Sequence, residues 1–398
     1  MKGVTPYLPL DPKLALPLKD KAIEVYKRSA SLEASVQPGL KGAVTHLLRY
    51  VNSYYSNKIE GNNTKPADVI KAQYAKDEDL DPAIRDDRKE IISHLIAQES
   101  LALDQPSVGE VSSAECVQWI HELFFSELSE QARTLVLEST GERFVVEAGQ
   151  FREQQVIVGR HLPPEGADLA KSMEVFHRAY RLDWIHGDER LLAAAASHHR
   201  LLWIHPFLDG NGRVTRLFTD VYMQLAGVDG YGLWSVSRGF SRSIEKYKAA
   251  LAAADEARAG DLDGRGQLSD KGMLKFQHYF LDTCLEQIDY LSSLLRMGDF
   301  DRRMAFYVSQ RVAGVAVDVD GKPLPKWRPE TINLFRAVIA QGGVLRTDVP
   351  AITGLGETVS RNLVKQLMEE QWLVGEEKRP LKLEIPFEGI STLFPHLW

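Results

Sequence analysis

The run His205-Pro206-Phe207-Leu208-Asp209-Gly210-Asn211-Gly212-Arg213-Val214-Thr215-Arg216 constrains the fold of this chain more than any other segment. The residues before it, His198 to Ile204, are apolar at helical spacing. Those after it, Val214 to Leu225, are again helix-like and lack the alternation of a strand. The run reads as a helix, a tight turn and a second helix. Asp-Gly and Asn-Gly are strong hairpin signals, but a hairpin needs alternating strands on both sides, and neither flank has them. A zinc cluster of His198, His199 and His205 fails on distance, since the first and last would stand roughly 10 Å apart along one helix. His198 and His199 are read as packing or hydrogen-bonding residues.

The chemistry of the turn follows from its residue types. Gly210 and Gly212 flank Asn211, so the backbone can take positive φ and approach a ligand closely. The start of the helix carrying Arg213 then presents unpaired N–H groups and the positive end of its dipole, which suits phosphate. Arg213 and Arg216 lie three apart on one face and can hold two phosphates of one polyphosphate. Asp209 beside phosphate calls for a divalent cation between them, and Mg²⁺ takes one or two carboxylates plus phosphate oxygens. His205, ending the preceding helix, can accept a hydroxyl proton at neutral pH and is the candidate base.

At every defined position these residues resemble the Fic signature, His-x-Phe-x-(Asp/Glu)-Gly-Asn-Gly-Arg-x-x-Arg. The resemblance implies transfer of AMP from ATP to a hydroxyl side chain of a protein, with release of pyrophosphate. It assigns His205 as base and Asp209 as the Mg²⁺ ligand. Gly210, Asn211 and Gly212 become the phosphate cradle, with Arg213 and Arg216 on the outer phosphates. Gly212 stands where the related Doc-type phosphotransferases usually carry Lys, which favours adenylyl over phosphoryl transfer. Ser56-Asn57-Lys58-Ile59-Glu60-Gly61 resembles the family's inhibitory helix, (Ser/Thr)-x-x-x-Glu-(Gly/Asn), placed N-terminal to the core. Ser56 and Glu60 share a helical face, and Gly61 can end the helix in a left-handed cap. Glu60 is expected to pair with Arg216 and remove it from the γ-phosphate.

Gly149-Gln150-Phe151-Arg152 resembles the Gly-x-x-Arg before the family's flap. Gln154 to Gly159 is expected to form a short strand, with Gln155, Val156, Ile157 and Val158 docking a target segment. Tyr231, Trp234 and Tyr247 are the aromatic groups expected to enclose adenine.

Composition narrows the class. At 398 residues the chain has material for two or three domains. Its net charge of −7 and pI near 5.9 give no general pull toward nucleic acid or anionic membrane. Cys116 and Cys284 have no CxxC spacing and are expected to be reduced, buried thiols. No run approaches a membrane span of about 20 apolar residues, and a cytoplasmic location is expected.

The expected fold is mostly α: N-terminal helices over 1–105, a Fic-type helical core with a small β-hairpin flap over 106–298, a linker over 299–327, and a winged-helix-like domain over 328–398. Helices are expected near 19–36, 43–58, 66–76, 85–103, 116–128, 167–184, 269–295, 331–340, 348–353 and 357–370, with strands near 372–374 and 381–385. The loop Asp261 to Gly266 lacks the downstream glutamate of an EF-hand. The third helix of the last domain mixes Arg361 and Lys365 with Glu357, Glu369 and Glu370, so protein contact or dimerisation is favoured over DNA binding. The tail Leu393 to Trp398 is expected to pack back. A protein adenylyltransferase held off by Glu60 is the favoured reading. Its partners would be ATP, Mg²⁺, a protein target, for which the chain itself is one candidate, and a second copy in a homodimer. The alternative is a DNA-binding regulator that senses ATP without transferring it; the completeness of the signature favours the enzyme.

Overall fold

The computed structural model describes residues 12–62, 64, 82–136, 141–159, 161–264, 266–318 and 321–398. The helix expected over 66–76 lies outside the described residues. The chain begins with α1 (Pro12–Ser35), α2 (Pro38–Ile59), α3 (Pro82–Leu103) and α4 (Ala114–Phe125), followed by β1 (Thr134–Val136) and β2 (Arg143–Val145). Then come α5 (Leu169–Tyr180), α6 (Glu189–Ile204), α7 (Asn211–Leu225), α8 (Val236–Arg242), α9 (Ile244–Asp255) and α10 (Asp270–Leu295). The C-terminal part holds α11 (Met297–Ala313), α12 (Thr331–Gln341), α13 (Val349–Thr353), α14 (Glu357–Glu369), β3 (Leu373–Val374), β4 (Lys382–Leu383) and α15 (Phe387–Leu393). The protein is mostly helical, and among the described residues its paired strands are two short antiparallel hairpins, β1–β2 and β3–β4. No described helix is long and apolar enough to cross a membrane.

The chain divides into two compact units, one of Met1–Ser29, Asn52–Tyr231 and Ser235–Gln287, the other of Ala30–Val51, Gly232–Trp234 and Ile288–Trp398. In the first, α6 is the central element. It is buried around almost its whole circumference, with Leu191 to Leu201 inside. Such a helix needs small residues where neighbours approach, and Ala193 to Ala196 supply them. Helices α5 and α7 pack on it, and α4 packs on α3, α5 and α7. Ser113 caps α4 by accepting from the Cys116 N–H at 3.0 Å. Cys116 and Cys284 are buried free thiols, and burial raises both, Cys116 to about 12.

One row of polar groups inside this core is paired in a determinate order. Thr219 donates its hydroxyl to the Thr215 carbonyl at 2.7 Å, so it can only accept from His198 Nδ1, also at 2.7 Å. His198 Nε2 then accepts from the Tyr247 hydroxyl at 2.7 Å. His198 and His199 are core residues, and burial lowers the pKa of each.

In the second unit, Trp327, Tyr307, Phe335 and Trp372 form an aromatic cluster, each ring centroid 4.9–5.6 Å from another. Arg311 lies over the Trp327 ring at 4.1 Å and pairs with Glu370. The tail behaves as expected: Leu393, Phe394 and Leu397 are buried, and Phe394 meets Phe300. Three helices and a hairpin occur over 331–383 in the order the sequence suggests. The span expected as a linker, 299–327, instead opens with most of α11, whose Phe300, Met304, Tyr307, Val308 and Arg311 form a buried helical stripe.

Arg311 is 1% exposed, so removing its partner strands a buried cation. Glu370→Ala should cost about 3–5 kcal/mol, measured as a drop in the urea midpoint of the tryptophan fluorescence transition; Arg311→Met/Glu370→Leu should recover most of it.

Candidate functional site

The turn between α6 and α7 is held open by its own side chains. Helix α6 ends because His205 adopts a left-handed conformation, φ 51° and ψ 60°, its N–H still reaching the Leu201 carbonyl at 3.0 Å. That conformation is unfavourable for a residue with a Cβ and persists only where neighbours enforce it. Arg152 does so. Its Nε donates to the His205 carbonyl at 2.8 Å and its backbone N–H to the Pro206 carbonyl at 2.9 Å. The rest of its guanidinium donates to the carbonyls of Gln154 and Pro164, at 2.8 and 2.6 Å. The Gly-x-x-Arg segment thus staples the segment 154–164 to the turn.

His205 Nδ1 lies 3.3 Å from the Leu202 carbonyl, which can only accept, so Nδ1 carries the proton and Nε2 the lone pair. Burial lowers the His205 pKa to about 4, with the nearby Arg152 and His161 adding to the effect. The imidazole is therefore neutral at physiological pH, the state a base requires.

Asn211 is used internally. Its Oδ1 accepts from the Phe207 N–H at 3.0 Å and its Nδ2 donates to the Phe207 carbonyl at 2.8 Å, so it shapes the turn. Of the two flanking glycines only Gly210 has positive φ, 77°. A Cβ there would lie 2.3 Å from the Phe125 ring. Gly212 is within α7, and its lack of a side chain serves a different end. A Cβ on it would come within 2.0 Å of Glu60 Oε1 and 3.1 Å of the Arg216 guanidinium. No side chain caps the start of α7, so its first N–H groups have no intrahelical acceptor and favour an anion. The Glu60 carboxylate lies beside this end of the helix, in the space a Gly212 side chain would fill.

Glu60 Oε1 accepts from Arg216 at 2.6 Å. The same guanidinium donates to Ser56 Oγ at 2.8 Å and to the Ser56 carbonyl at 2.9 Å. Arg216 is 2% exposed and Glu60 37%. Burial raises the Glu60 pKa, but the charges of Arg216 and Arg213 outweigh it and hold the carboxyl below its ordinary value. The helix α2 stops at Ile59, and Gly61 follows at φ 95°.

Arg213 is buried over the Phe124 ring at 4.8 Å, held by Glu90 at 2.5 Å and by Asp209 at 3.2 Å. Glu90 is a member of the site that the sequence reading missed: it lies on α3, far from the motif in sequence, and nothing in its spacing announces it. It also accepts from the Asn62 amide at 3.1 Å. His121 is another such residue; its Nδ1 accepts from the Gly149 N–H at 2.9 Å, and its ring stacks between Phe125 and Phe207.

Two expectations change. Gln154 to Gly159 is not a strand; its one ladder contact is the bridge Val158↔His161. The carbonyls of Gln154 and Pro164 go to Arg152, and that of Pro163 to the Gln155 amide at 3.0 Å. Val156 is half-buried, while Ile157 is 75% exposed with Val158 beside it. The adenine-enclosing trio is likewise not brought together as an open wall. Tyr247 is buried, stacked on Phe240 at 4.4 Å, and Tyr231 donates to Asp220. Trp234 is buried and falls in the second unit.

Residues 112–223 match the Fic/DOC family model. A protein adenylyltransferase Fic of Nematostella vectensis is 31% identical over 225 residues, which span 55% of this chain and 47% of that protein. The Drosophila erecta protein of the same name is 43% identical over 82 residues, 21% of this chain and 17% of its own length. The matches thus span less than half the length of these relatives. A Fic family protein structure from Desulfovibrio desulfuricans aligns over 95% of this chain and 98% of its own, with a TM-score of 0.54 at 18% identity. The Caenorhabditis elegans Fic-1 structure covers 72% of this chain and 75% of that chain, with a TM-score of 0.50 at 16% identity. At these identities the structural likeness bears on fold.

Histidine NMR tests the electrostatics directly. The His205 ring should titrate near pH 4, well below the ordinary value of about 6.5, in a ¹H–¹⁵N spectrum recorded from pH 3.5 to 8. A midpoint above 6 would contradict the burial that lowers it.

Proposed function

We propose that this chain, whose residues 112–223 match the Fic/DOC family model, is a Mg²⁺-dependent protein adenylyltransferase, held inactive by its own Glu60. The observation that carries this is the carboxylate of Glu60 on Arg216, beside the bare start of α7, with the neutral His205 in the same turn.

In the reaction, His205 Nε2 takes the proton of a Ser, Thr or Tyr hydroxyl on the target. The hydroxyl oxygen bonds to the α-phosphorus of ATP, the bond to the bridging oxygen breaks, and pyrophosphate leaves with that electron pair. The N–H groups at the start of α7 and Arg213 face the phosphates, and Arg216 takes the outermost one. Asp209 fits a Mg²⁺ role: it is a carboxylate 39% exposed beside an anion site, and Mg²⁺ combines one or two carboxylates with phosphate oxygens. When bound, the ion offsets phosphate charge.

Glu60 competes for the cation that the outermost phosphate needs. With Arg216 taken, ATP binds with its phosphates misplaced and the α-phosphorus out of line with the hydroxyl. Ile157 and Val158 are exposed apolar groups on a segment near the turn that belongs to no strand, suited to docking an extended stretch of the target. The targets include the chain itself, and a homodimer is the expected assembly.

Glu60→Gly should raise AMP incorporation by about tenfold or more, equivalent to ~1.4 kcal/mol of barrier, read as added AMP on the intact mass after incubation with Mg²⁺ and ATP. His205→Ala in the same background should lower it by about 10²–10⁴. Equal labelling of wild type and Glu60→Gly removes the inhibitory reading. Undiminished labelling after His205→Ala removes the base.

A further inference from the structure

We propose that Asn52 and Asp220 are positioning residues for the inhibitory helix, fixing the register in which Glu60 meets Arg216; this rests on the reading of Glu60 given above. Asn52, Ser56 and Glu60 recur every four residues on α2 and its end, and so share a face. Gly212, Arg216 and Asp220 do the same on α7. The two rows face each other in opposite directions. Asn52 meets Asp220, Ser56 meets Arg216, and Glu60 meets Arg216 and covers Gly212.

The far rung of this ladder is buried and fully paired. Asn52 Nδ2 donates to Asp220 Oδ2 at 2.6 Å and to Gln98 Oε1 at 3.0 Å, while its Oδ1 accepts from Ser235 Oγ at 2.6 Å. The other oxygen of Asp220 accepts from the Tyr231 hydroxyl. Apolar contacts tolerate small slips, but this amide does not. Moving α2 by one residue turns it by about 100° and shifts it by about 1.5 Å, which breaks every one of these bonds and leaves a buried carboxylate short of a donor. Glu60 lies two turns further along the same face, at the helix end, where Asn62 just beyond it bonds the Asp87 carbonyl and Glu90 but carries no helical register. Neither Asn52 nor Asp220 borders the turn that would hold phosphate. They act through the helix.

The test is epistasis, using the full chain with Mg²⁺ and ATP and reading added AMP on the intact mass. Asn52→Ala should raise labelling roughly two- to tenfold, the range spanned by the net loss of one ordinary hydrogen bond. In the Glu60→Gly background it should add nothing, because the helix no longer carries the inhibitory group. Amide hydrogen exchange should rise over Ser53 to Asn62 while α6 and α7 keep their protection. Asn52→Ser repeats each arm with a smaller cavity. Labelling unchanged by Asn52→Ala, or changed in proportion in both backgrounds, overturns the proposal. So does loss of protection throughout α6 and α7 in both variants, which would make the pair ordinary core. If Glu60→Gly itself labels no faster than wild type, the inhibitory reading falls and this inference with it; a fast Glu60→Gly beside an inert Asn52→Ala removes this inference alone.

Discussion

The guanidinium of Arg216 is the constraint around which the first unit is arranged. A buried arginine is tolerated only when its N–H groups meet acceptors, and here helix α2 and its end supply them. Ser56 gives a hydroxyl and a carbonyl, and Glu60, four residues on, a carboxylate. Within the same unit Tyr247, His198 and Thr219 are joined in a row of hydrogen bonds that ends on the backbone of α7 at Thr215, beside Arg216. The arginine is thus held by the partner helix while its own helix is fixed next to it. A side chain so constrained has little rotamer freedom left to lose when an anion binds.

The signature turn was legible because its chemistry is local. Helix, turn and helix follow from patterning, and the pairing of Glu60 with Arg216 was reachable because both residues belong to recognisable motifs. Long-range partners were not. Glu90 holds Arg213 from a helix more than a hundred residues earlier, and only packing brings them together. The row Asn52, Ser56, Glu60 and the row Gly212, Arg216, Asp220 are visible as fours in the sequence, but their facing each other is a property of the tertiary structure.

The misreadings share one cause. Gln154 to Gly159 has the composition of a strand, yet strand formation needs free backbone carbonyls, and Arg152 takes two from this neighbourhood. Tyr231 and Tyr247 look like pocket aromatics by type; their hydroxyls instead complete buried networks around Asp220 and His198. In each case a polar group expected to face outward was claimed first by an unsatisfied buried partner.

The missing Cβ of Gly212 has a consequence for competition. Because no side chain stands there, a carboxylate can rest against the start of α7, and that carboxylate is covalently part of the same molecule. Any free anion approaching this helix start meets a rival whose effective concentration is of millimolar order or more, fixed by tethering and unaffected by dilution. Occupancy of the helix start is therefore governed less by how tightly the anion binds than by how far the end of α2 can withdraw.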